Sequence, residues 1–313
     1  MQVNRRIHRS DLSDTARFMN PSGCNADFVP DQVHGLSGGD SPSGGDSFRL
    51  KHKKRLYPGE SLAPYRVGVA KALNTVPLIR GIEDQVIFAA PAELVRLLRT
   101  NELDAALVSI VEPLLTDRYD ILDGVGIASL GEVKSVLLAH RKPLEKADVI
   151  FYDPDSVTGL VLLKVLLAER GLYPEFSPVK SWEVSDEKDY LLLSGDMALD
   201  FTFGPRTHEI FDLGTAWYEL TRLPFVYEAW ALRRGIENAR LRRQLRAAKD
   251  FGMQTLDYII RTRTEYTEDF RKDYLGWHIH YYIGSDEKRA IAMFAELLRR
   301  HGFGPVYEPR FVA

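Results

Sequence analysis

The sequence is poor in the residues on which several classes of site depend. Its 313 residues include one cysteine, Cys24, which excludes disulfides within the chain and cysteine-based zinc clusters. Basic and acidic residues nearly balance, at 41 against 44, and the net charge of -3 argues against a dedicated nucleic-acid-binding protein. The richest apolar stretch, Leu160–Ala168, is interrupted by Lys164, so no run approaches the roughly 18–20 residues that cross a bilayer.

A secretory signal pattern is also lacking. Met1–Asp11 is polar, carries three arginines and is followed by no apolar segment, whereas a signal peptide needs an apolar stretch after its basic residues. We therefore expect a soluble, cytoplasmic protein with neither a nucleic acid nor a membrane as its partner.

Common catalytic motifs are missing as well. The sequence has no GxGxxG, Walker loop, HExxH, GxSxG or CxxC. His278 and His280 stand two residues apart, and on a helix that spacing points them away from each other, which favours a packing role over a metal pair. We expect neither a metal nor another cofactor.

Residues 1–64 differ in composition from the rest of the chain. Gly35–Asp46 reads GLSGGDSPSGGD, a tract that buries too little apolar surface to offset its ordering entropy. The basic cluster Lys51–Arg55 is predicted to be solvated, since so few charges give little affinity for an anionic surface at physiological salt. We predict a disordered N-terminal extension over residues 1–64.

From Tyr65 onward, short apolar runs alternate with helical patterns. The predicted strands are Arg66–Ala70, Val86–Ala90, Ala105–Ser109, Val133–Ala139, Val149–Tyr152, Tyr190–Leu193 and Phe225–Ala231. The predicted helices are Pro91–Arg99, Thr158–Arg170, Gly235–Ala248 and Ile291–Arg300. This alternation indicates an α/β architecture with mainly parallel sheets, and helices dominate after Ala231.

Small polar residues stand at the ends of predicted strands and the starts of predicted helices. They include Asn74, Thr75, Ser109, Ser135, Asp155, Ser156, Thr158, Gly195 and Asp196. Taken singly, each is explained by a cap, a turn or a satisfied polar group. Taken together they favour an anion, because helix N-termini offer free N–H groups and open α/β sheets bind ligands at the carboxyl ends of their strands. The pattern suits a small carboxylated ligand.

Four ordered segments resemble the chorismate dehydratases of the futalosine route to menaquinone. They are VGVAKALNTVPL at Val67–Leu78, GIASLGEVKSVLL at Gly126–Leu138, SGDMAL at Ser194–Leu199 and DLGTAWYELTRLPFVYEAW at Asp212–Trp230. The resemblance implies a type 2 periplasmic-binding-protein-like fold, with two α/β lobes around a ligand cleft and a helical C-terminal part. It further implies that residues 65–137 and 228–313 form the first lobe and residues 138–227 the second.

The same resemblance implies a reaction and a set of site residues. The reaction is that of a hydro-lyase, which converts chorismate to 3-[(1-carboxyvinyl)oxy]benzoate and water. Asn74 and Ser135 match the asparagine of the LNxxPL motif and the serine of the GxVxS motif, both associated with catalysis in this family. The expected substrate contacts are Thr75, Ser109, Gly131, Val133, Ser156, Thr158, Gly195 and Asp196.

Two alternative functions remain open, and so does the proton acceptor. The alternatives to a chorismate dehydratase are the later naphthoate-forming enzyme of the same pathway and a protein that binds an aromatic carboxylate without converting it. Neither an amide nor an isolated serine hydroxyl is a good base at neutral pH, so a carboxylate of the substrate is one candidate for that role. The sequence departs from the family pattern at Ala72 and Arg222, positions that bear on affinity more than on reaction class.

Overall fold

The computed structural model describes residues 61–179, 187–205 and 207–313. The extension predicted over residues 1–64 lies outside the described residues except for residues 61–64. Leu62, within that short stretch, is buried in the hydrophobic core. The carbonyl of Ser61 accepts a hydrogen bond of 2.7 Å from the Gln244 side chain. The folded core therefore begins before Tyr65.

The described residues form two β-sheets. The first sheet has the strand order β11-β4-β10-β3-β1-β2 and the second has the order β7-β6-β8-β5-β9. The strands are β1 Val67–Val69, β2 Ile87–Phe88, β3 Ala105–Ser109, β4 Tyr119–Ser129, β5 Val136–His140, β6 Val149–Tyr152, β7 Glu175–Pro178, β8 Tyr190–Ser194, β9 Glu209–Asp212, β10 Phe225–Arg233 and β11 Phe311–Val312.

Helices surround both sheets and make up most of the chain after β10. The α-helices are α1 Pro91–Arg99, α2 Val111–Leu115, α3 Val157–Glu169, α4 Asp196–Phe203, α5 Leu213–Thr221, α6 Ala239–Gln254, α7 Leu256–Thr262, α8 Glu268–Asp273 and α9 Ser285–Arg300. Two short 3-10 helices, Leu73–Ile79 and Leu144–Lys146, and a π-helical turn, Tyr274–His278, complete the set. Within the described ranges, no helix combines the length and apolarity needed to cross a membrane.

The described sheets are mainly parallel, as expected, but each contains one reversed strand. β10 runs antiparallel to β3 and β4, and β5 runs antiparallel to β8 and β9. The remaining strand pairs are parallel. Both reversed strands are the first strands that the chain enters after moving from one sheet to the other. Hydrophobic runs predict that a strand is buried but not its direction, so the sequence did not predict which strands are reversed.

Among the predicted strands, local sequence patterns gave the most accurate bounds for the buried ones. The bounds predicted for β3 and β6 are confirmed, whereas the strand predicted at Val133–Ala139 begins only at Val136. Val133 and Ser135 belong instead to the connection between the two sheets. The strands that the sequence did not predict are β4, β7, β9 and β11.

Helix α6 packs against the 3-10 helix that carries Asn74. Its buried face is formed by Leu241, Leu245, Ala248 and Gly252, whose spacing of three to four residues places them on one side of an α-helix. Gly252 makes the closest approach, since a Cβ added there would lie 2.6 Å from the carbonyl carbon of Pro77. The absence of a side chain at Gly252 thus allows the 3-10 helix to lie directly on α6.

Candidate active site

The two residues expected to be catalytic come from different sheets and meet at one hydroxyl group. Asn74 lies in the 3-10 helix after β1, and Ser135 immediately precedes β5. Burial raises the pKa of Tyr274 above its ordinary value, and hydrogen bonds from the side chains of Ser135 and Asn74 act in the opposite direction. Asn74, Ser135 and Tyr274, called the Tyr274 cluster below, therefore form one connected group of neutral hydrogen-bonding side chains.

Asn74 owes its position to the residue that follows it. The Thr75 hydroxyl donates to the carbonyls of Ala70 and Ala72, at 3.1 and 2.9 Å, and Thr75 is buried. These bonds fix the turn between β1 and the 3-10 helix, and the partly exposed Asn74 side chain reaches Tyr274 from that turn. The hydroxyl of Thr75, expected to contact substrate, is directed towards the backbone.

Ser135 is held by a carboxylate from the second sheet. Asp212 accepts hydrogen bonds from the backbone N–H groups of Val133 and Lys134, at 3.1 and 2.8 Å, and from that of Thr215 at 2.9 Å. Lys134 has a positive φ of 65°, a conformation that costs energy for a residue with a side chain and persists where surrounding contacts hold it. Asp212 therefore determines the path of the chain into Ser135.

The Ser135 backbone also joins the start of α4 to the cluster. Its carbonyl accepts a hydrogen bond of 2.8 Å from the N–H of Gly195, and Gly195 has a φ of 60°, which suits a residue without a Cβ. This turn places the Gly195 backbone beside Ser135. The Asp196 side chain, which follows it, is exposed.

A second group of predicted residues joins β3 to helix α3. The Thr158 hydroxyl donates to Ser109 Oγ at 2.7 Å and contacts the Tyr227 carbonyl at 3.1 Å. The hydroxyls of Ser156 and Ser194 are hydrogen-bonded to each other. Ser109 belongs to the first sheet, and Thr158 begins a helix that packs on the second. These hydroxyls form a polar connection between the carboxyl end of β3 and the start of α3.

Gly131 and Val133 contribute backbone atoms, not side chains, to the hydrogen bonds of the segment between β4 and β5. The Gly131 carbonyl accepts a hydrogen bond of 3.0 Å from Ser129 Oγ, which is itself 3.1 Å from the Tyr227 hydroxyl. Gly214 packs against the same atoms, since an added Cβ would lie 2.7 Å from the Tyr227 hydroxyl oxygen. The segment between β4 and β5 is thus packed tightly against α5, which leaves little freedom to the Ser135 backbone.

A partly buried carboxylate that the sequence analysis did not single out lies on β10. Glu228 stands directly opposite Ser109 of β3 in the strand register. Its Oε2 atom is buried and has no hydrogen-bond partner in the described part of the chain. Burial raises the pKa of the Glu228 carboxyl from its ordinary value to about 7. The charge of Glu228 also contributes to the raised pKa of Tyr274, which places Glu228 in the electrostatic environment of the Tyr274 cluster.

Replacing Glu228 with glutamine is expected to remove a pH-dependent loss of stability. The carboxyl ionises near pH 4.5 in the unfolded chain and near pH 7 in the folded one, so the free energy of unfolding falls as the pH rises through this window. A shift of this size corresponds to at most about 3 kcal/mol. Urea denaturation of both proteins between about pH 5 and 8 measures the effect. As the pH rises, the variant should become more stable relative to the wild type. Plots of unfolding free energy against pH that run parallel for the two proteins would contradict the raised pKa.

The structure brings some of the predicted residues together and not others. Asn74 and Ser135 meet at Tyr274, and Ser109 meets Thr158. The Thr75 hydroxyl is directed towards the backbone, and the Asp196 side chain is exposed. Sequence reasoning did not identify Tyr274, Asp212 or Glu228. The sequence did carry a sign of two of these residues. Glu228 interrupts the apolar strand FVYEAWAL, and Asp212 directly precedes helix α5 with Thr215 three residues later, which is the spacing of an N-cap.

The chemistry available at the site follows from these groups. Its hydrogen-bonding side chains are amides, hydroxyls and a phenol, which bind and orient an oxygen-rich ligand without carrying charge. Glu228 is the acid whose pKa lies near neutrality, where a group transfers protons most effectively. In the described residues, no group of three or more His, Cys, Asp or Glu side chains is arranged to hold a metal ion.

The chain is similar in sequence to proteins of known role. A family described as menaquinone biosynthesis matches residues 65–300. A chorismate dehydratase from Thermus thermophilus is 31% identical over 273 residues, which cover 79% of this chain and 100% of that protein. The matched region includes both halves of the Tyr274 cluster, Asn74 and Ser135 on one side and Tyr274 on the other.

Solved structures show the fold. A protein from Archaeoglobus fulgidus has a TM-score of 0.61 at 17% identity, covering 76% of this chain and 97% of that one. The periplasmic aliphatic sulphonate binding protein of Escherichia coli has a TM-score of 0.54 at 12% identity, covering 80% and 93% of the two chains. The predicted α/β fold resembling periplasmic binding proteins is confirmed. The chain belongs to the menaquinone biosynthesis family.

Proposed function

We propose that the protein is a chorismate dehydratase, a hydro-lyase that converts chorismate to 3-[(1-carboxyvinyl)oxy]benzoate and water. The observation that carries this proposal is the convergence of Asn74 and Ser135 on the Tyr274 hydroxyl. These two residues match the motif positions associated with catalysis, and they reach one point from separate sheets. The relative from Thermus thermophilus, described as a chorismate dehydratase, supports the same reaction.

The reaction requires a lower barrier rather than a driving force. Loss of the C3 proton and the C4 hydroxyl makes the ring aromatic, so the product is much more stable than chorismate. Negative charge that develops at C3 spreads through the adjacent double bond into the ring carboxylate. Donors directed at this charge stabilise the transition state, and one such donor contributes about 3–4 kcal/mol in other enzymes.

The Tyr274 cluster supplies donors of this kind. Ser135 is buried and its backbone is fixed through Asp212 and Gly195, so its hydroxyl keeps its direction when substrate enters. The Asn74 amide approaches from the first sheet. We assign to both side chains the orientation of the substrate and the stabilisation of its enolate-like transition state. Ser109, Ser156 and Thr158 are proposed to hold the substrate carboxylates, beside the backbone of Gly131, Val133 and Gly195.

Turnover of chorismate by the purified full chain tests the proposal. Ultraviolet absorbance and chromatography should show the aromatic enol ether appearing as chorismate disappears. Ser135→Ala is expected to lower kcat about 10²- to 10³-fold because it removes one donor to the developing charge. Ser285→Ala is the matched control, since Ser285 is exposed at the first position of α9.

Other outcomes would assign a different function. Unchanged chorismate that raises the melting temperature would favour a binding protein, since a ligand that binds only the folded state stabilises it. Turnover by Ser135→Ala at the wild-type rate, with the protein folded, would contradict the role of Ser135. A chain that ignores chorismate but forms a naphthoate from a later intermediate would be the other enzyme of the pathway.

A further inference from the structure

A salt bridge joins the residues that directly precede two members of the Tyr274 cluster. Lys134 comes before Ser135, and Asp273 comes before Tyr274. The Lys134 ammonium group donates a hydrogen bond of 2.6 Å to Asp273 Oδ2, across 139 positions of the sequence. Lys134 lies on the connection into β5, and Asp273 is the last residue of α8. The salt bridge therefore ties the segment that carries Ser135 to the turn that carries the Tyr274 hydroxyl.

His278 attaches the other end of the π-helical turn to the same segment. Its Nδ1 atom donates a hydrogen bond of 2.9 Å to the Glu132 carbonyl. Its Nε2 atom lies 3.4 Å from Asp273 Oδ2, and the Lys134 ammonium lies 3.9 Å from the Glu132 carboxylate. The turn Tyr274–His278 is thus connected to residues 132–134 at both of its ends.

The side chain of Lys134 is not explained by the turn in which it stands. Its φ of 65° is a conformation that residues with a side chain rarely adopt, and a glycine would adopt it without strain. The backbone N–H donates to Asp212, a contact that any residue except proline would make. What a lysine adds at this position is the contact with Asp273.

The Tyr274 ring has supports of its own, but they do not fix its position completely. Phe270 stacks on it with the ring centroids 5.6 Å apart and the planes within 14° of parallel. Phe203 of α4 meets the Phe270 ring edge-on at 4.8 Å. Aromatic pairs tolerate a range of offsets and distances, so stacking limits the tilt of the phenol more than its sliding. A contact at the backbone is needed to set the position of the hydroxyl.

The salt bridge should matter more for turnover than for stability. The side chains of Lys134 and Asp273 are 26% and 45% exposed, and ion pairs at this level of exposure contribute little to the free energy of unfolding. The hydrogen bond from Lys134 lowers the pKa of Asp273 from its ordinary value, so the pair is charged at physiological pH. Tyr274, by contrast, is buried, and a small displacement of its hydroxyl changes the geometry of the whole cluster.

We propose that Lys134 and Asp273 are positioning residues of the active site. Their salt bridge holds the Tyr274 hydroxyl at the place where the Asn74 and Ser135 side chains reach it. The inference rests on the proposed function and concerns the same site. Through Tyr274, the salt bridge acts on the two donors assigned to the developing charge. Its loss should therefore change kcat more than KM.

Single substitutions that break the salt bridge test the inference. Lys134→Met keeps the length of the side chain and Asp273→Asn keeps its shape, and each removes one charge. In either variant kcat for chorismate should fall about 10- to 100-fold, because a displacement of about 1 Å at a positioning group has an effect of this order. KM should change little. The unfolding midpoint should fall by no more than about 4 °C, as expected for an exposed ion pair.

Two further variants separate positioning from the loss of a charge. Lys142→Met breaks another salt bridge of 2.6 Å, to Asp189, at the opposite end of β5 from Ser135, and should keep the wild-type kcat. Reversing the pair, with Lys134→Asp and Asp273→Lys in one protein, restores the attraction and the combined length of the two side chains. Because the effects of residues in contact are not additive, this double variant should recover most of the lost kcat.

Hydrogen exchange measured by mass spectrometry reports on the turn without substrate. The backbone N–H groups of residues 274–279 should exchange faster in Lys134→Met and Asp273→Asn than in the wild type, because loss of a contact makes local opening easier. A wild type without chorismate turnover overturns the proposed function and this inference with it. A wild type that turns over chorismate, with both variants within about threefold of its kcat, overturns the inference alone. A loss of kcat with unchanged exchange in the turn also overturns it, since the salt bridge would then not act through Tyr274.

Discussion

Gly252→Ala is expected to destabilise the protein by about 3–5 kcal/mol, well beyond the usual cost of overpacking. An added Cβ would overlap the carbonyl group of Pro77 and lie 2.8 Å from Pro77 Cα. These are backbone atoms of the 3-10 helix, so no side chain can rotate away. The gain of about 1 kcal/mol from alanine in place of glycine inside a helix is too small to compensate. Urea denaturation measures the loss.

The same substitution should also impair turnover. To relieve the overlap, α6 and the 3-10 helix must move apart, and the 3-10 helix carries Asn74 three residues before Pro77. A displacement of about 1 Å at a positioning group costs on the order of 10²-fold in rate. Gly204→Ala is the control, because its nearest atom, the Phe201 carbonyl oxygen, is 3.5 Å from an added Cβ. Equal unfolding midpoints for Gly252→Ala and the wild type would show that the two elements are not in rigid contact.

The fold was predictable from the sequence where local pattern and tertiary environment agree. β3 and β6 are continuous apolar runs and are buried, and the predicted helix at α3 agrees with Val157–Glu169 to within one residue at each end. β4 was missed because it contains Gly124, Gly126 and two aspartates, which disfavour strands locally. Its pairing with β10 overrides that preference. Gly126 is required there, since a Cβ would lie 2.8 Å from the Glu228 carbonyl oxygen.

The candidate site was predictable only in part, because local sequence patterns identify some of its residues and long-range contacts determine the others. Asn74 and Ser135 lie in short motifs, so the resemblance identified both. Tyr274 lies 139 positions after Ser135 in the printed sequence, within a C-terminal region of ordinary helical composition. No local pattern indicates that its hydroxyl meets two residues from different sheets. Such a contact depends on how the chain returns to the first sheet after leaving the second.

Asp212→Ala is expected to lower the free energy of unfolding by about 3–5 kcal/mol, since the N–H groups of Val133, Lys134 and Thr215 would lose their acceptor. The loss includes about 1 kcal/mol for the N-cap of α5. Lys134, released from its left-handed conformation, would relax towards ordinary backbone angles and move Ser135. Turnover per folded molecule should therefore fall by about 10²-fold. Denaturation and chorismate turnover, both measured at low temperature, give the two quantities.

Two comparisons distinguish the positioning of Ser135 from simple loss of a cap. Thr267→Ala removes the N-cap of α8, where the hydroxyl accepts a bond of 3.2 Å from the N–H of Phe270, and should cost about 1 kcal/mol with turnover retained. Asp212→Asn keeps one acceptor oxygen and should fall between alanine and wild type in both stability and kcat. If Asp212→Ala loses stability but keeps full kcat, the left-handed turn at Lys134 does not depend on Asp212, and Ser135 must be held by the Gly195 contact instead.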